Sequence, residues 1–171
     1  MEPAIDPTAW LAPGVVVLGD VTLGKQASLW YGTVVRGDTE RIVIGEETNI
    51  QDLSIVHADS GVPCLIGRRV TAGHRVILHG CTVDDDCLIG MGAILLNGVK
   101  VGAGSIVGAG TVLPKGKEIP PGMLVVGVPG RVLRPVDDAG RTRMELTWRH
   151  YVALAQRHRA GEFPRHTTAL E

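Results

Sequence analysis

The chain repeats with a period of six. Aliphatic residues stand at Ile5, Leu11, Val17, Leu23, Leu29 and Val35. After a longer step they resume at Ile44, Ile50 and Val56, and after another at Ile66, Ala72 and Leu78. One residue is then lost, and Val83, Ile89, Leu95, Val101, Val107, Leu113, Ile119 and Val125 follow without a break. The next residue is often glycine, as in "LGKQAS", "IGEETN" and "IGRRVT". Four residues after a rung stands another small or apolar side chain, such as Ala27, Val70, Val76, Ser105 or Thr111. This period fits neither an amphipathic helix nor simple strand alternation. It fits short strands joined by tight corners, the pattern of a parallel β-helix. Three hexads make one triangular coil, so the 20 rungs predict about six to seven coils around a continuous aliphatic column. Aromatic residues are only 4% of the chain, and 23 glycines are available for bends, so Val, Ile, Leu and Ala must build the core.

The repeat ends near "GVPGRVLRPVDD". Beyond it, Met144, Trp148, Tyr151, Val152 and Ala155 follow helical spacing, which predicts an amphipathic α-helix over about 140–160, packed on the side of the prism. Arg141, Arg143, Glu145 and Arg149 would face water. The expected organisation is a β-helix domain over 1–135 and a C-terminal helix and tail over 136–171, with the segment "GEFPRHTTAL" frayed. Formal net charge is −1 and no Lys/Arg block stands out, so no electrostatic case exists for nucleic acid or a membrane surface. No apolar run approaches the ~18 residues of a membrane helix. "MEPAIDPTAW" has no basic region followed by an apolar stretch, so no signal peptide is expected. Cys64, Cys81 and Cys87 are odd in number and lack CxxC spacing. They are expected to be reduced and packed inside, which fits a cytoplasmic protein.

The histidines carry the chemistry. His57, His74 and His79 fall close together, the last two within "VTAGHRVILHG". Rung residues face inward, so the residue after each rung faces outward. Arg36 follows Val35, His57 follows Val56 and His79 follows Leu78. With the extra residues after Val35 and Val56 set aside as corner loops, these three form one outward column with coils about 4.8 Å apart. Two imidazoles at that spacing can reach one ion at Zn–N distances of ~2.0–2.1 Å. His74 lies one hexad earlier, on an adjacent face or its corner, and its outward direction diverges. It could reach that ion only from a neighbouring copy in a symmetric oligomer. Three histidines with an open fourth position are a catalytic zinc pattern. The alternative is three unrelated histidines, each hydrogen-bonded locally. His150, His158 and His166 show no such constellation.

"VVRGDTERIVIGEETNIQDLSIVH", "GRRVTAGHRVILHGC" and "LIGMGAILLNGV" resemble the γ-class carbonic anhydrase family of left-handed β-helix proteins, over roughly residues 5–160. The resemblance implies a left-handed coil and a homotrimer with metal sites between subunits. It implies that His57 and His79 are ligands from one subunit and His74 the ligand from its neighbour. Arg36 and Asp38 of "RGD" resemble an ion pair at the subunit interface. Gln51 and Asp52 of "NIQD" resemble residues that orient the metal-bound water or bicarbonate. The implied activity is a lyase reaction, the reversible hydration of carbon dioxide. Zinc held by neutral imidazoles lowers the pKa of bound water to about 7, though iron and cobalt suit the same ligands. One departure stands out. The best-characterised family members carry a long acidic loop after the first ligand, whereas the link here is "ADSGVPCL", whose only acid is Asp59. Slow hydration is therefore expected.

Two other functions share the hexad. One is an acyltransferase or thioesterase acting on a CoA thioester, because "VGVPGRVLR" resembles the turn that ends the repeats of such enzymes. The other is a non-catalytic trimeric assembly module. The "GAG" triplets at 102–104 and 108–110 lie inside the ladder without a strand–loop–helix unit, which argues against nucleotide binding.

Overall fold

The computed structural model describes residues 1–164. The chain winds as a left-handed parallel β-helix of about seven turns, followed by one helix. Its three faces follow the ladder. The first face stacks Val34–Ile44, Ile55–His57, Ile77–His79, Ile94–Leu95 and Val112–Leu113. The second stacks Trp10–Leu11, Ser28–Leu29, Asn49–Ile50, Thr71–Ala72, Leu88–Ile89, Ile106–Val107 and Met123–Gly127. The third stacks Cys64–Ile66, Thr82–Val83, Lys100–Val101 and Glu118–Ile119. Every rung from Leu23 to Val125 is at most 3% exposed. Ile5 is 41% exposed, because it stands at the open end, where no earlier coil covers it.

The corners obey a rule that the aliphatic ladder alone does not reveal. From Leu23 onward, in the regular hexads the third residue after a rung takes a positive φ. It is glycine at 32, 92, 98, 104, 110, 116 and 122, and a larger residue at Gln26, Glu47, Leu53, Arg69, Arg75 and Asp86. The glycine directly after a rung has a different cause. At Gly45 an added Cβ would lie 2.5 Å from the Gly67 carbonyl carbon in the next coil, so no side chain fits. On the first face the position after the rung holds Arg36, His57 and His79 instead, and each is followed by an irregular step to the next rung.

Those irregular steps differ in part from expectation. The extra residues after Val35 form no loop. They extend Val34–Ile44 as one strand around the corner, paired in parallel with Val16–Leu23 across a register shift between Gly19 and Val21. The register runs from Gly19 opposite Gly37 to Val21 opposite Ile42, so the added residues bulge out of the ladder between them. The extra residues after Val56 do make a tight turn, closed by the Val62 amide donating to the Asp59 carbonyl at 2.9 Å.

At the far end, "GVPGRVLRP" forms an antiparallel hairpin between Met123–Gly127 and Gly130–Pro135. Gly130 approaches Leu113 so closely that the hairpin closes over that last first-face rung. Helix α1 spans Asp138–Arg159, starting two residues before expectation because the Asp137 carboxylate accepts the Gly140 amide at 2.8 Å and caps it. It lies on the second face and buries Met144, Trp148 and Ala155. Its last turn packs His158 against both Trp10 and Trp30, which touch each other, with ring centroids 5.1 and 5.2 Å away. His158 is thus a packing residue. Residues 165–171, with His166 and most of the segment expected to fray, lie outside the described residues. The cysteines are buried free thiols, and burial pushes the Cys87 thiol up to about 12.

The column carries the stability, so Leu113→Ala should cost about 2–5 kcal/mol. Ile5→Ala, at the open end, should cost less than ~1 kcal/mol. Urea unfolding of both variants checks the contrast; equal losses would remove the column from its central role.

Candidate metal centre

Parallel register sets the site. Arg36 pairs with His57, and His57 pairs with His79, on three consecutive coils of the first face. The two imidazoles lie with ring centroids 5.1 Å apart, and His57 Nδ1 is 3.1 Å from His79 Nε2. What separates this contact from an ordinary hydrogen bond is the state of the other two ring nitrogens.

His79 Nδ1 lies 2.5 Å from Asn97 Oδ1. The Asn97 amide cannot be turned the other way, because its Nδ2 donates to Asp59 Oδ2 at 2.6 Å. Asn97 Oδ1 only accepts, so Nδ1 of His79 carries the proton and Nε2 is a lone pair. His57 Nε2 lies 3.3 Å from Asp38 Oδ1. Asp38 is held as a carboxylate, since Arg36 Nη1 donates to both its oxygens at 2.8 and 2.7 Å and keeps its carboxyl below the usual range. His57 therefore donates from Nε2 and presents a lone pair at Nδ1. With both imidazoles neutral, two lone pairs then face each other at 3.1 Å. Such a pair is repulsive unless a proton or a metal cation joins it. The donor set fits a metal: two nitrogens on one tetrahedral ion with bonds of ~2.0–2.1 Å are about 3.3 Å apart.

His74 stands in the turn between Thr71–Ala72 and Ile77–His79, outside this cluster. Its Nδ1 donates to Asp52 Oδ2 at 2.7 Å, and Asp52 Oδ1 accepts the Tyr31 amide at 3.2 Å. His74 thus has the same arrangement, one nitrogen bonded to a carboxylate and Nε2 left as donor. Gln51 is only 4% exposed, and its Nε2 donates to Asn49 Oδ1 at 3.1 Å. Gln51 and Asp52 belong with His74, one face before the His57–His79 pair, as the register placed Gln51. Arg36 and Asp38 stand with His57. Within one chain the structure brings together His57, His79, Arg36 and Asp38, and leaves His74, Asp52 and Gln51 apart.

Two neighbours of the site were not given a place in it by the ladder. Asn97 lies in the turn one coil beyond His79, and Asp59 in the turn after His57. Ligand atoms of His57, Asp59 and His79 all lie within 4.8 Å of one another, a group found among the described residues. Asn97 was traceable as a polar turn residue above the histidine column, but its side-chain direction depends on Asp59.

Beside the histidines runs an apolar stripe. Val16, Val34, Ile55, Ile77, Ile94 and Val112 pair in register, all one residue before a rung and all facing outward. Val16 is 44% and Ile55 38% exposed, and no other element of the described chain covers them. The second face has its helix; this face has nothing.

Known proteins share this architecture. The family model "Bacterial transferase hexapeptide (six repeats)" matches residues 80–115. A carbonic anhydrase from Geobacillus kaustophilus is 47% identical over 158 residues, covering 92% of this chain and 87% of that protein. Gamma carbonic anhydrase 2, mitochondrial, from Arabidopsis thaliana is 42% identical over 163 residues and matches 92% of this chain. The chain spans only 59% of that plant protein's length. Among solved structures, a hexapeptide transferase family protein from Anaplasma phagocytophilum superposes with a TM-score of 0.87 at 40% identity, covering 90% of this chain and 91% of that one.

The proton positions can be read directly. In metal-free protein, long-range ¹H–¹⁵N correlation should show His79 protonated at Nδ1 and His57 at Nε2. A proton on His57 Nδ1 would make the contact an ordinary hydrogen bond and remove the argument for a cation.

Proposed function

The chain belongs to the γ-class carbonic anhydrase-like family of hexapeptide-repeat proteins, and from that premise we propose that it is a metal-dependent lyase for the reversible hydration of carbon dioxide. The observation that carries this proposal is the approach of His57 Nδ1 and His79 Nε2 to 3.1 Å, with their far nitrogens committed to Asp38 and Asn97. A divalent ion held there supplies the Lewis acidity that makes water a nucleophile near neutral pH. His57 and His79 are the ligands of one chain. Asp38 and Asn97 hold the protons on their far nitrogens and so fix which nitrogen faces the ion. Arg36 keeps Asp38 ionised for that task. Zinc, iron and cobalt all suit this donor set.

The third ligand is His74 of a neighbouring copy in a homotrimer. Two observations support this. His74 Nε2 is prepared as a donor by Asp52 but stands outside the cluster of its own chain. The uncovered apolar stripe beside His57 and His79 is the kind of surface that subunits bury against one another. Gln51 and Asp52 then enter the shared site with His74. Asp52 fixes the His74 tautomer, and the role we assign to the Gln51 amide, which donates to Asn49, is to orient carbon dioxide or bicarbonate. The buried free thiols suit a reducing compartment, in line with a cytoplasmic protein. No helix among the described residues is long and apolar enough to cross a membrane.

Acyl transfer from a CoA thioester is the second reading, supported by the hexapeptide transferase match and the shared fold. It gives the paired lone pairs no task, since a single histidine suffices as general base.

Purified protein should contain about one divalent ion per chain and hydrate carbon dioxide. The His79→Ala variant should lose the metal yet keep its circular dichroism spectrum, because the side chain points out of the column. Binding of acetyl-CoA with no metal and no hydration would favour acyl transfer instead. Sharing between subunits has its own test. His57→Ala and His74→Ala each spoil a site, but in a mixed trimer one junction joins an intact His57–His79 pair to an intact His74. Co-expressed variants should recover part of the carbon dioxide hydration that each lacks alone. No recovery in verified mixed trimers would place all ligands in one chain.

A further inference from the structure

We propose that Asp59 is a third metal ligand supplied by the same chain as His57 and His79, aimed at the ion by Asn97; this rests on the metal centre proposed above. Asp59 Oδ1 stands 3.8 Å from His79 Nε2, the nitrogen that carries a lone pair. The ligand atoms of His57, Asp59 and His79 all lie within 4.8 Å of one another, so one cation can take all three. Ligands on a tetrahedral ion stand about 3.3 Å apart, so the carboxylate has to close by roughly 0.5 Å toward His79 and by up to about 1.5 Å toward the rest of the group.

The position of Asp59 is built rather than incidental. Its other oxygen is held by Asn97 Nδ2 at 2.6 Å, and Asn97 Oδ1 holds His79. One amide therefore orients two ligands at once. The backbone of the turn is fixed from both sides: the Val62 amide donates to the Asp59 carbonyl at 2.9 Å, and Glu40 Oε2 accepts the Gly61 amide at 2.8 Å. Glu40 belongs to the strand that the extra residues after Val35 create. Both departures from the ladder thus serve to place this carboxylate. The opposing view is that Asp59 is a half-exposed surface acid that only accepts from Asn97. That view gives no task to the Asn97 amide that ties Asp59 to His79.

Two consequences follow. A single chain offers two nitrogens and an oxygen, enough to hold an ion without a neighbour's His74. With His74 in place the ion has four protein ligands, the number of a closed site. Asp59 then has to yield its position before water or substrate can coordinate.

Cobalt(II) reports on both, through its visible absorption and through competition with a chromophoric chelator. In wild-type protein cobalt should bind, and Asp59→Asn, which keeps the shape and a partner for Asn97, should weaken binding roughly tenfold or more and change the absorption bands. Asn97→Ala should weaken it to a similar degree. In the His74→Ala background, cobalt should still bind while Asp59 is present, and adding Asp59→Asn should abolish binding. Unchanged affinity and spectrum on Asp59→Asn in both backgrounds would overturn the proposal and leave the three-histidine site standing. A wild-type protein that binds no cobalt would instead defeat the metal centre itself, and this proposal with it.

Discussion

Every coil of this protein must place an aliphatic side chain inside each of its three faces, and that requirement governs the rest. A buried Val, Leu or Ile contributes about 1.5–3 kcal/mol relative to exposure, and from Leu23 onward each rung is sealed by the coils on either side. The rungs can stack only if successive strands lie parallel and in register. Register then does something that burial does not ask for. It makes columns of the outward residues too, at strand spacing. Two histidines separated by 22 positions in the chain arrive side by side because Val56 and Leu78, just before them, stack inside.

The departures from the period are as informative as the period. At four places on the third face, Gly24, Gly45, Gly67 and Gly102, the position after a rung is glycine, since the next coil's backbone occupies the place of a side chain. On the first face that position must carry side chains as large as arginine and histidine. After Val35, Val56 and Leu78 the step to the next rung is longer or shorter than six. The changed corners lift the chain away and give the side chains room. The added residues also contribute: Asp38 and Glu40 come from the first insertion, Asp59 from the second. Toward the far end the hexads become regular again, and the column continues in Leu96, which has no part in the site.

Most of the fold was legible because its signal is one-dimensional. A six-residue period survives translation into three dimensions as a column, and the expected inward residues, helix face and buried cysteines follow from counting. Arg36, His57 and His79 were found by the same counting. What the ladder could not show is local chemistry at corners. Whether the residues after Val35 form a loop or a strand depends on what the preceding coil offers for pairing, here Val16–Leu23. Asn97 was missed because its relevance lies in which end of its amide faces His79, and Asp59 decides that from another turn. The start of the helix at Asp138 likewise depended on one carboxylate finding one amide.

The electrostatics of the centre link metal and assembly. Each of the three histidines has one nitrogen committed to an oxygen: Asp38 for His57, Asn97 for His79, Asp52 for His74. Such commitment lowers the cost of metal binding, because no tautomer has to be selected when the ion arrives. His57 is already mostly covered, with 13% of its side chain exposed, whereas His74 retains 44%. The pair thus forms the inner wall of a site whose outer wall is open in a single chain. The apolar stripe beside it faces the same way, so a neighbour that buried Val16 and Ile55 would also cover an ion held there. Hydrophobic contact and metal ligation would then favour the same arrangement of chains, each strengthening the other by mass action.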